Sequence, residues 1–231
     1  MSSLVIALDG PAAAGKGTLA RRLAERYNLA YLDTGALYRG TGLAVLRQGL
    51  DPAEESAATK AAETLDPAIL GDPEIRTEAA GQAASKVGAI PAVRRALLDW
   101  QRQFAAHPPA ASGGKPRAGA ILDGRDIGTV VCPDAGAKLF ITASTEARAR
   151  RRFKELQEKG SGAIYARVLQ DMQERDARDQ DRAVAPMTAA PDALVIDTSA
   201  LSADQVFELA IAHIDRILAG KGSSVLAKPG R

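Results

Sequence analysis

Short apolar runs alternate along this chain with longer stretches in which apolar residues recur every three or four positions. Five runs have the length of strands and are bounded by Gly, Asp, Pro or Ser: 4–8, 29–32, 118–122, 138–142 and 193–196. Eight stretches have helical spacing: 18–27, 35–48, 52–64, 75–89, 91–105, 144–159, 163–182 and 202–218. Strands separated by helices predict a three-layer α/β/α domain with a five-stranded parallel sheet.

Two of the predicted helices carry N-capping signals. Ser144 stands three residues before Ala147, and Ser202 stands three residues before Gln205 with the spacing of a capping box. In a parallel sheet of this kind, ligands bind beyond the carboxyl ends of the strands. We therefore expect the functional residues to follow the strand runs.

Composition and charge narrow the setting. With 231 residues, 46% hydrophobic and 25% charged, the chain fits a single globular α/β domain. The net charge of +2 gives no reason to expect a nucleic-acid partner. Cys132 is the only cysteine, which is typical of a reducing, cytoplasmic setting. We expect no signal peptide and no membrane partner, and without a heptad pattern we expect a monomer.

A glycine loop follows the first predicted strand and leads into a helix. The residues expected to hold a phosphate chain are Gly10, Pro11, Ala12, Ala13, Ala14, Gly15, Lys16, Gly17 and Thr18. The glycines let backbone N–H groups turn toward phosphate, and Lys16 adds a positive charge. Gly17 stands where such loops commonly carry Ser or Thr, and the hydroxyl of Thr18 is displaced by one position.

The second predicted strand ends at a run from Asp33 to Arg39. Asp33 or Thr34 is expected to cap the next helix, with Tyr38 and Arg39 one turn inside it. Arg39 would then lie near the sheet edge, where it could hold a second phosphate; the alternative is a surface arginine on a capped helix. The run Asp33-Thr-Gly also resembles an aspartic-protease motif, but 4% aromatic residues and the many helices disfavour that fold.

A third charged run, from Asp123 to Asp126, follows the third predicted strand. A carboxylate at this strand end can hold Mg²⁺ through water, and Arg125 would face reacting phosphates. The alternative is an Asp-Gly turn with a local ion pair.

Arginines are concentrated on two predicted helices joined by a turn at Gly160. Arg175, Arg178, Asp179 and Arg182 fall on one helical face, and Arg148, Arg150, Arg151 and Arg152 precede the turn. Such a pair of helices suits a lid that closes over phosphates and excludes water. A solvated charged face is the alternative.

Five motifs together resemble the bacterial cytidylate kinase family over about residues 4–218. They are the loop 10–18, Leu32-Asp-Thr-Gly-Ala-Leu-Tyr-Arg39, Ile75-Arg-Thr77, Asp123-Gly-Arg-Asp-Ile-Gly-Thr129 and Glu174 to Pro186. The Lys-Gly-Thr ending of the loop is similar to that of nucleoside monophosphate kinases in general. The resemblance implies transfer of a phosphoryl group from ATP, with Mg²⁺, to CMP or dCMP.

The resemblance also implies roles for individual residues. On the acceptor side, it implies that cytosine is recognised by Thr34, Arg94 and Asp126, and that the ribose is contacted by Arg175 and Asp179. It also implies that the CMP phosphate is clamped by Arg39, Arg125 and Arg182, with a further substrate contact by Tyr38. On the donor side, it implies that ATP is contacted by residues 10–18 and Arg152. Lys16, Arg125 and Arg182 would be catalytic. Mg²⁺ would be held, through water, by Thr18 and Asp123.

The same resemblance divides the chain. A core would comprise residues 1–34, 107–147 and 183–220; a helical CMP-binding domain, residues 35–106; a lid with its flanking helices, residues 148–182; and a disordered tail, residues 221–231. The β-rich insert of many family members is missing, because only 67–73 joins the flanking motifs. A kinase of UMP or AMP, or a non-catalytic nucleotide-binding module, remains an alternative.

Overall fold

A five-stranded, wholly parallel sheet forms the centre of the molecule. The computed structural model describes residues 3–182 and 184–225. The strands follow the order β2-β3-β1-β4-β5 across the sheet, and each neighbouring pair is parallel. Their bounds are β1 Leu4–Asp9, β2 Leu29–Asp33, β3 Gly119–Asp123, β4 Ala137–Thr142 and β5 Leu194–Asp197. All five predicted strands are thereby confirmed.

Each stretch of helical spacing contains a helix. The bounds are α1 Lys16–Arg26, α2 Thr34–Arg47, α3 Glu55–Glu63, α4 Glu78–Val87, α5 Pro91–Ala106, α6 Thr145–Glu158, α7 Tyr165–Gln180 and α8 Ala203–Val225. The stretch 75–89 is the least well predicted. A 3₁₀ turn, Pro73–Arg76, comes first, and α4 begins only after Thr77, whose hydroxyl accepts a hydrogen bond from the Ala80 N–H.

Helices cover both faces of the sheet, which gives the predicted three layers. Successive residues of a strand point to opposite faces, so Ile6 and Ala7 belong to different cores. Ile6 packs with Leu23 of α1 and Ile214 of α8. Ala7 packs on the other face with Leu122 and Ala105, the latter from α5.

The chain between β2 and β3 builds a helical unit with a core of its own. Residues 34–106 contain helices α2–α5 and two 3₁₀ turns, with no strand among them. Leu37, Val87 and Leu97 are central to this second core. Gly42 allows helices α2 and α4 to approach closely. A Cβ at this position would lie only 2.7 Å from the Cβ of Ala83.

The C-terminal third consists of the α6–α7 pair, β5 and α8. Both predicted N-caps are present: Ser144 Oγ accepts from the Ala147 N–H, and Ser202 and Gln205 form a reciprocal capping box. Helix α8 continues to Val225, inside the segment 221–231 that is expected to form a tail. Residues 226–231 lie outside the described residues. Within the described part of the chain, no helix is both long enough and apolar enough to cross a membrane.

Candidate functional site

The glycine loop wraps around the side chain of Lys16. Its first residue must be glycine, because Gly10 has φ 135° and a Cβ there would lie 1.9 Å from the carbonyl oxygen of Ile141. Lys16 Nζ donates to the carbonyl oxygen of Pro11 at 2.9 Å and lies 3.6 Å from Asp123 Oδ1. The loop thus holds a positive charge at the carboxyl end of β1, as predicted.

Burial has a marked effect on that charge. Lys16 is 6% exposed, and burial, together with the positive charge of Arg125, lowers its pKa to about 8 against the opposing effect of Asp123. In the free protein the ammonium is therefore only moderately favoured at neutral pH. An anion bound in the loop would favour the charged form.

This pKa predicts how anion binding in the loop depends on pH. The charged form of Lys16 is the one that attracts phosphate, and it is lost as the pH rises through about 8. We expect the affinity of the loop for inorganic triphosphate to fall about tenfold per pH unit above that point, because only the charged form binds. Calorimetric titrations at several pH values measure this. Lys16→Arg is the control, because its charge persists and its profile should stay flat; a flat profile in the wild type up to pH 10 would contradict the assignment.

Position 17 faces the carboxylate of Asp123. A Cβ on Gly17 would lie 3.7 Å from Asp123 Oδ2 and 3.6 Å from the hydroxyl of Tyr31. Thr18 is exposed on the first turn of α1. The missing side chain therefore leaves space beside Asp123. Burial raises the pKa of Asp123 above its usual value, although the positive charge of Lys16 opposes this effect.

Asp9 joins this loop to the segment after β3. Its carboxylate accepts hydrogen bonds from the backbone N–H groups of Ile127 and Gly128, both at 2.7 Å. Burial raises the pKa of Asp9 to about 6 in spite of these bonds. The N–H groups begin a π-helical turn, Ile127–Val131, which the sequence analysis missed. The one sequence signal for this contact is Asp9, an acidic residue at the end of a buried strand. That signal does not reveal its partners, because Ile127 and Gly128 are 118 and 119 residues away.

A cavity opens beside the loop, between the sheet edge and the helical unit. Most of the predicted acceptor residues line it: Thr34, Tyr38, Arg94, Arg125, Asp126, Arg175, Asp179 and Arg182. Arg94 forms an ion pair with Asp126, and both side chains are buried. Its guanidinium also lies 5.5 Å from the centre of the Tyr38 ring. Residues distant in sequence are thus brought to one wall.

The expected cap of α2 is absent, and its two candidates make other contacts. Asp33 Oδ2 accepts from Arg39 Nη2 at 2.5 Å, and Thr34 donates its hydroxyl proton to the carbonyl oxygen of Asp123 at 2.8 Å. Thr34 is thereby fixed at the floor of the cavity, and Arg39 lies at the ends of the strands.

The opposite wall carries arginines with unused donors. Arg125 Nε donates to Asp179 Oδ2 at 3.1 Å, and Arg182 pairs with the other oxygen of Asp179. Nε of Arg175, and Nε and Nη1 of Arg182, are buried without a hydrogen-bond partner in the described structure. Burial and the neighbouring Arg125 lower the pKa of Arg175 to about 10. Both arginines line the cavity, and cationic side chains with unpaired donors are suited to an anionic ligand.

The sequence predicts that the arginines of α6 and α7 lie over bound phosphates, but three of them make other contacts. Arg152 donates to Glu78 at 2.7 Å and to Glu155 at 2.9 Å, so its partners lie away from the phosphate loop. Arg178 turns to α4, where it donates to Ser85 Oγ and Gln82 Oε1. The arginine that contacts the loop is Arg148, whose Nη1 lies 3.3 Å from the carbonyl oxygen of Ala12.

Metal binding by a dense ligand cluster is not indicated. Within residues 3–182 and 184–225, no group of three or more His, Cys, Asp or Glu side chains could hold a metal ion. A cation at this site would depend on water and phosphate oxygens as well as on Asp123.

Comparison with known proteins identifies the family. The sequence profile described as cytidylate kinase matches residues 6–216. The chain belongs to the cytidylate kinase family. The cavity and loop are therefore those of a nucleotide kinase. A cytidylate kinase of Paramagnetospirillum magneticum is 61% identical over 212 residues, which cover 92% of this chain and 98% of that protein. One from Rhodospirillum rubrum is 59% identical, covering 90% and 95%.

The fold also occurs in proteins of very different sequence. The crystal structure of an uncharacterized protein from Eubacterium ventriosum superposes with a TM-score of 0.51 at 14% identity, covering 93% of this chain and 99% of that one. At that identity the likeness concerns the fold alone.

Proposed function

We propose that the protein phosphorylates CMP and dCMP with ATP, by direct in-line transfer and with Mg²⁺. The observation that carries the proposal is the pair of anion sites at one sheet edge. One is the loop around Lys16, and the other is the cavity with the unpaired donors of Arg175 and Arg182. Arg125 is close enough to act on both, since its positive charge lowers the pKa of Lys16 and that of Arg175.

The donor site would be the glycine loop. Backbone N–H groups of residues 10–18 and the start of α1 favour a triphosphate. The ammonium of Lys16 would lie against the β- and γ-phosphates and offset charge as the bond between them breaks. Arg152 is proposed to contact ATP, which requires release of its bonds to Glu78 and Glu155.

The acceptor site would be the cavity. Cytosine presents an amino donor beside ring acceptors, and Thr34, Arg94 and Asp126 supply a hydroxyl, a guanidinium and a carboxylate to match it. Arg175 and Asp179 would contact the ribose, with Asp179 accepting from sugar hydroxyls. Arg39, Arg125 and Arg182 would clamp the phosphate, and Tyr38 would wall the base pocket.

Transfer then needs no covalent enzyme intermediate. A phosphate oxygen of CMP attacks the γ-phosphorus of ATP, the bond to the β–γ bridging oxygen breaks, and ADP leaves with that oxygen. Positioning and charge neutralisation by Lys16, Arg125 and Arg182 account for catalysis.

The residues present fit a hydrated Mg²⁺. Asp123 offers a carboxylate oxygen beside the space that a side chain at Gly17 would fill. Thr18 is exposed on the first turn of α1, and its hydroxyl is proposed to hold the ion through water. These are hard oxygen donors of the kind that Mg²⁺ prefers, and they leave room for water. When bound, the ion neutralises charge on the transferring phosphates.

The division of the chain follows from these roles. The helical unit within 35–106 would be the CMP-binding domain, residues 148–182 would form the lid, and 1–34, 107–147 and 183–220 would form the core. The contacts of Arg178 with Ser85 and Gln82 support a lid that closes onto the CMP-binding domain.

The deciding experiment is a coupled ADP-release assay with CMP, dCMP, UMP and AMP as acceptors. We expect CMP and dCMP to be used in preference to the other two. Equal use of all four, or a preference for UMP or AMP, would contradict the proposed substrate. ATP binding without turnover on any acceptor would indicate the non-catalytic module.

Asp126→Asn is expected to weaken the choice between CMP and UMP. A carboxylate only accepts hydrogen bonds and so suits the amino group of cytosine, whereas an amide also donates and suits the oxygen of uracil. We expect the ratio of kcat/KM for CMP over UMP to fall roughly tenfold or more, with KM for ATP unchanged. Exposed Asp134→Asn serves as the control. An unaltered ratio would show that Asp126 does not read the base.

A further inference from the structure

Arg148 lies at the base of the α6–α7 pair and is saturated with hydrogen bonds. Its Nε donates to the carbonyl oxygen of Ala143, and Nη1 donates to that of Ala12. Nη1 and Nη2 bind the two oxygens of Asp176 at 3.0 and 2.5 Å, and Nη2 also donates to Thr145 Oγ1. These bonds use all five N–H donors of a guanidinium. Arg148 is 3% exposed, so the pair with Asp176 is shielded from water.

The bonds join three parts of the proposed active site. Ala12 belongs to the phosphate loop, Thr145 begins α6, and Asp176 lies on α7. Asp176 is the direct neighbour of Arg175 and lies three residues before Asp179, both of which line the acceptor cavity. One buried cation therefore ties the donor loop to the helix that carries acceptor-site residues.

The saturation of Arg148 distinguishes it from the arginines of the cavity. Arg175 and Arg182 have buried donors without partners among the described residues, as expected for groups that await a ligand. Arg148 has no donor left for a nucleotide. Its influence on the reaction must therefore pass through the elements that it joins.

We propose that the Arg148–Asp176 pair is a positioning element that couples the two nucleotide sites. By holding α7 at a fixed place relative to the phosphate loop, it makes each nucleotide bind more tightly when the other is present. The coupling rests on the proposed function, because it presumes a donor and an acceptor nucleotide. It assigns a role to two residues that do not line the acceptor cavity but line a second cavity beside Pro11 of the phosphate loop.

The test removes the pair without leaving a buried charge alone. A double variant, Arg148→Met with Asp176→Leu, replaces both charges by apolar groups, which proteins often tolerate. Arg148→Lys is the second variant, since it keeps a charge opposite Asp176 but loses most of the donors. Arg150→Met is the matched control, because Arg150 is exposed on the same helix.

The measurement is calorimetric. Kd values are determined for the monophosphate that the wild type phosphorylates and for a non-hydrolysable ATP analogue, each alone and each with the other bound. We expect a wild-type coupling of about 5- to 150-fold, the usual range between linked sites. In the double variant it should fall toward onefold, and in Arg148→Lys it should be reduced. The separate Kd values should change by about twofold or less, while kcat falls roughly in step with the coupling.

Two results would overturn the proposal. The first is a folded double variant, or a folded Arg148→Lys, with wild-type coupling and kcat. The second is an equal loss of affinity for both nucleotides with the coupling intact, which would mean that the pair only stabilises the fold. A wild type that turns over UMP in place of CMP would contradict the proposed function, and the coupling would then be measured with UMP.

Discussion

Lys16→Met is expected to lower kcat by about 10³-fold or more, because it removes the cation proposed to offset charge on the transferring phosphates. Methionine keeps most of the buried stem of Lys16, so the loop should retain its packing. Loss of the bond to Pro11 and of the charge beside Asp123 is confined to the donor site. We therefore expect the Kd for CMP to change little. Steady-state kinetics and a CMP titration measure the two effects.

Lys60→Met is the control for a lost positive charge, since Lys60 is exposed on α3 within the helical unit. It should leave kcat unchanged. A Lys16→Met enzyme with kcat within tenfold of the wild type would contradict the role given to Lys16. Circular dichroism of both variants establishes that the comparison concerns folded protein.

Arg175→Met is expected to make the ligand-free protein more stable and the enzyme less active. The lowered pKa of Arg175 means that the fold disfavours its charged form, through burial and through repulsion by Arg125. Removing that charge should raise the melting temperature by about 2–4 °C, the shift that ~1 kcal/mol produces in a protein of this size. kcat/KM for CMP should fall about 100-fold, since a proposed hydrogen-bond donor to the acceptor nucleotide is lost.

Calorimetric melting without ligand measures the expected gain in stability, and steady-state kinetics measure the expected loss of activity. Arg167→Met, at an exposed position of the same helix, should change neither quantity. An Arg175→Met protein that melts below the wild type would show that Arg175 supports the fold. Full activity would show that it does not serve the acceptor.

Local patterns predict most of this fold because the signals are short in range. Alternation of apolar runs marks all five strands and the positions of all eight helices, and Ser144 and Ser202 cap the helices that they precede. The phosphate loop is predicted for the same reason, since its glycines and Lys16 lie within one turn of chain. Near Thr77 the local pattern fails, because a 3₁₀ turn and a helix have similar apolar spacing.

Contacts between distant segments are harder to predict. Thr34 looks like a helix cap in sequence, yet its hydroxyl bonds to the backbone of Asp123 in a neighbouring strand. Arg152 and Arg148 occupy equivalent places in an arginine-rich run, and only the packing of α6 decides that Arg148 faces the loop. The role of Arg94 is implied only by the family resemblance, because an arginine within a helix carries no signal of a partner such as Asp126.

The hydrogen bonds of Asp9 limit how this enzyme can be redesigned. Its carboxylate connects the strand that carries the donor loop to the backbone next to Asp126, the residue proposed to read the base. A library that varies Asp126 to change acceptor specificity therefore alters a turn that Asp9 anchors beside the proposed ATP site. Directed evolution toward a new acceptor should yield second-site changes around Asp9 and the turn Ile127–Val131, even though neither contacts the new base.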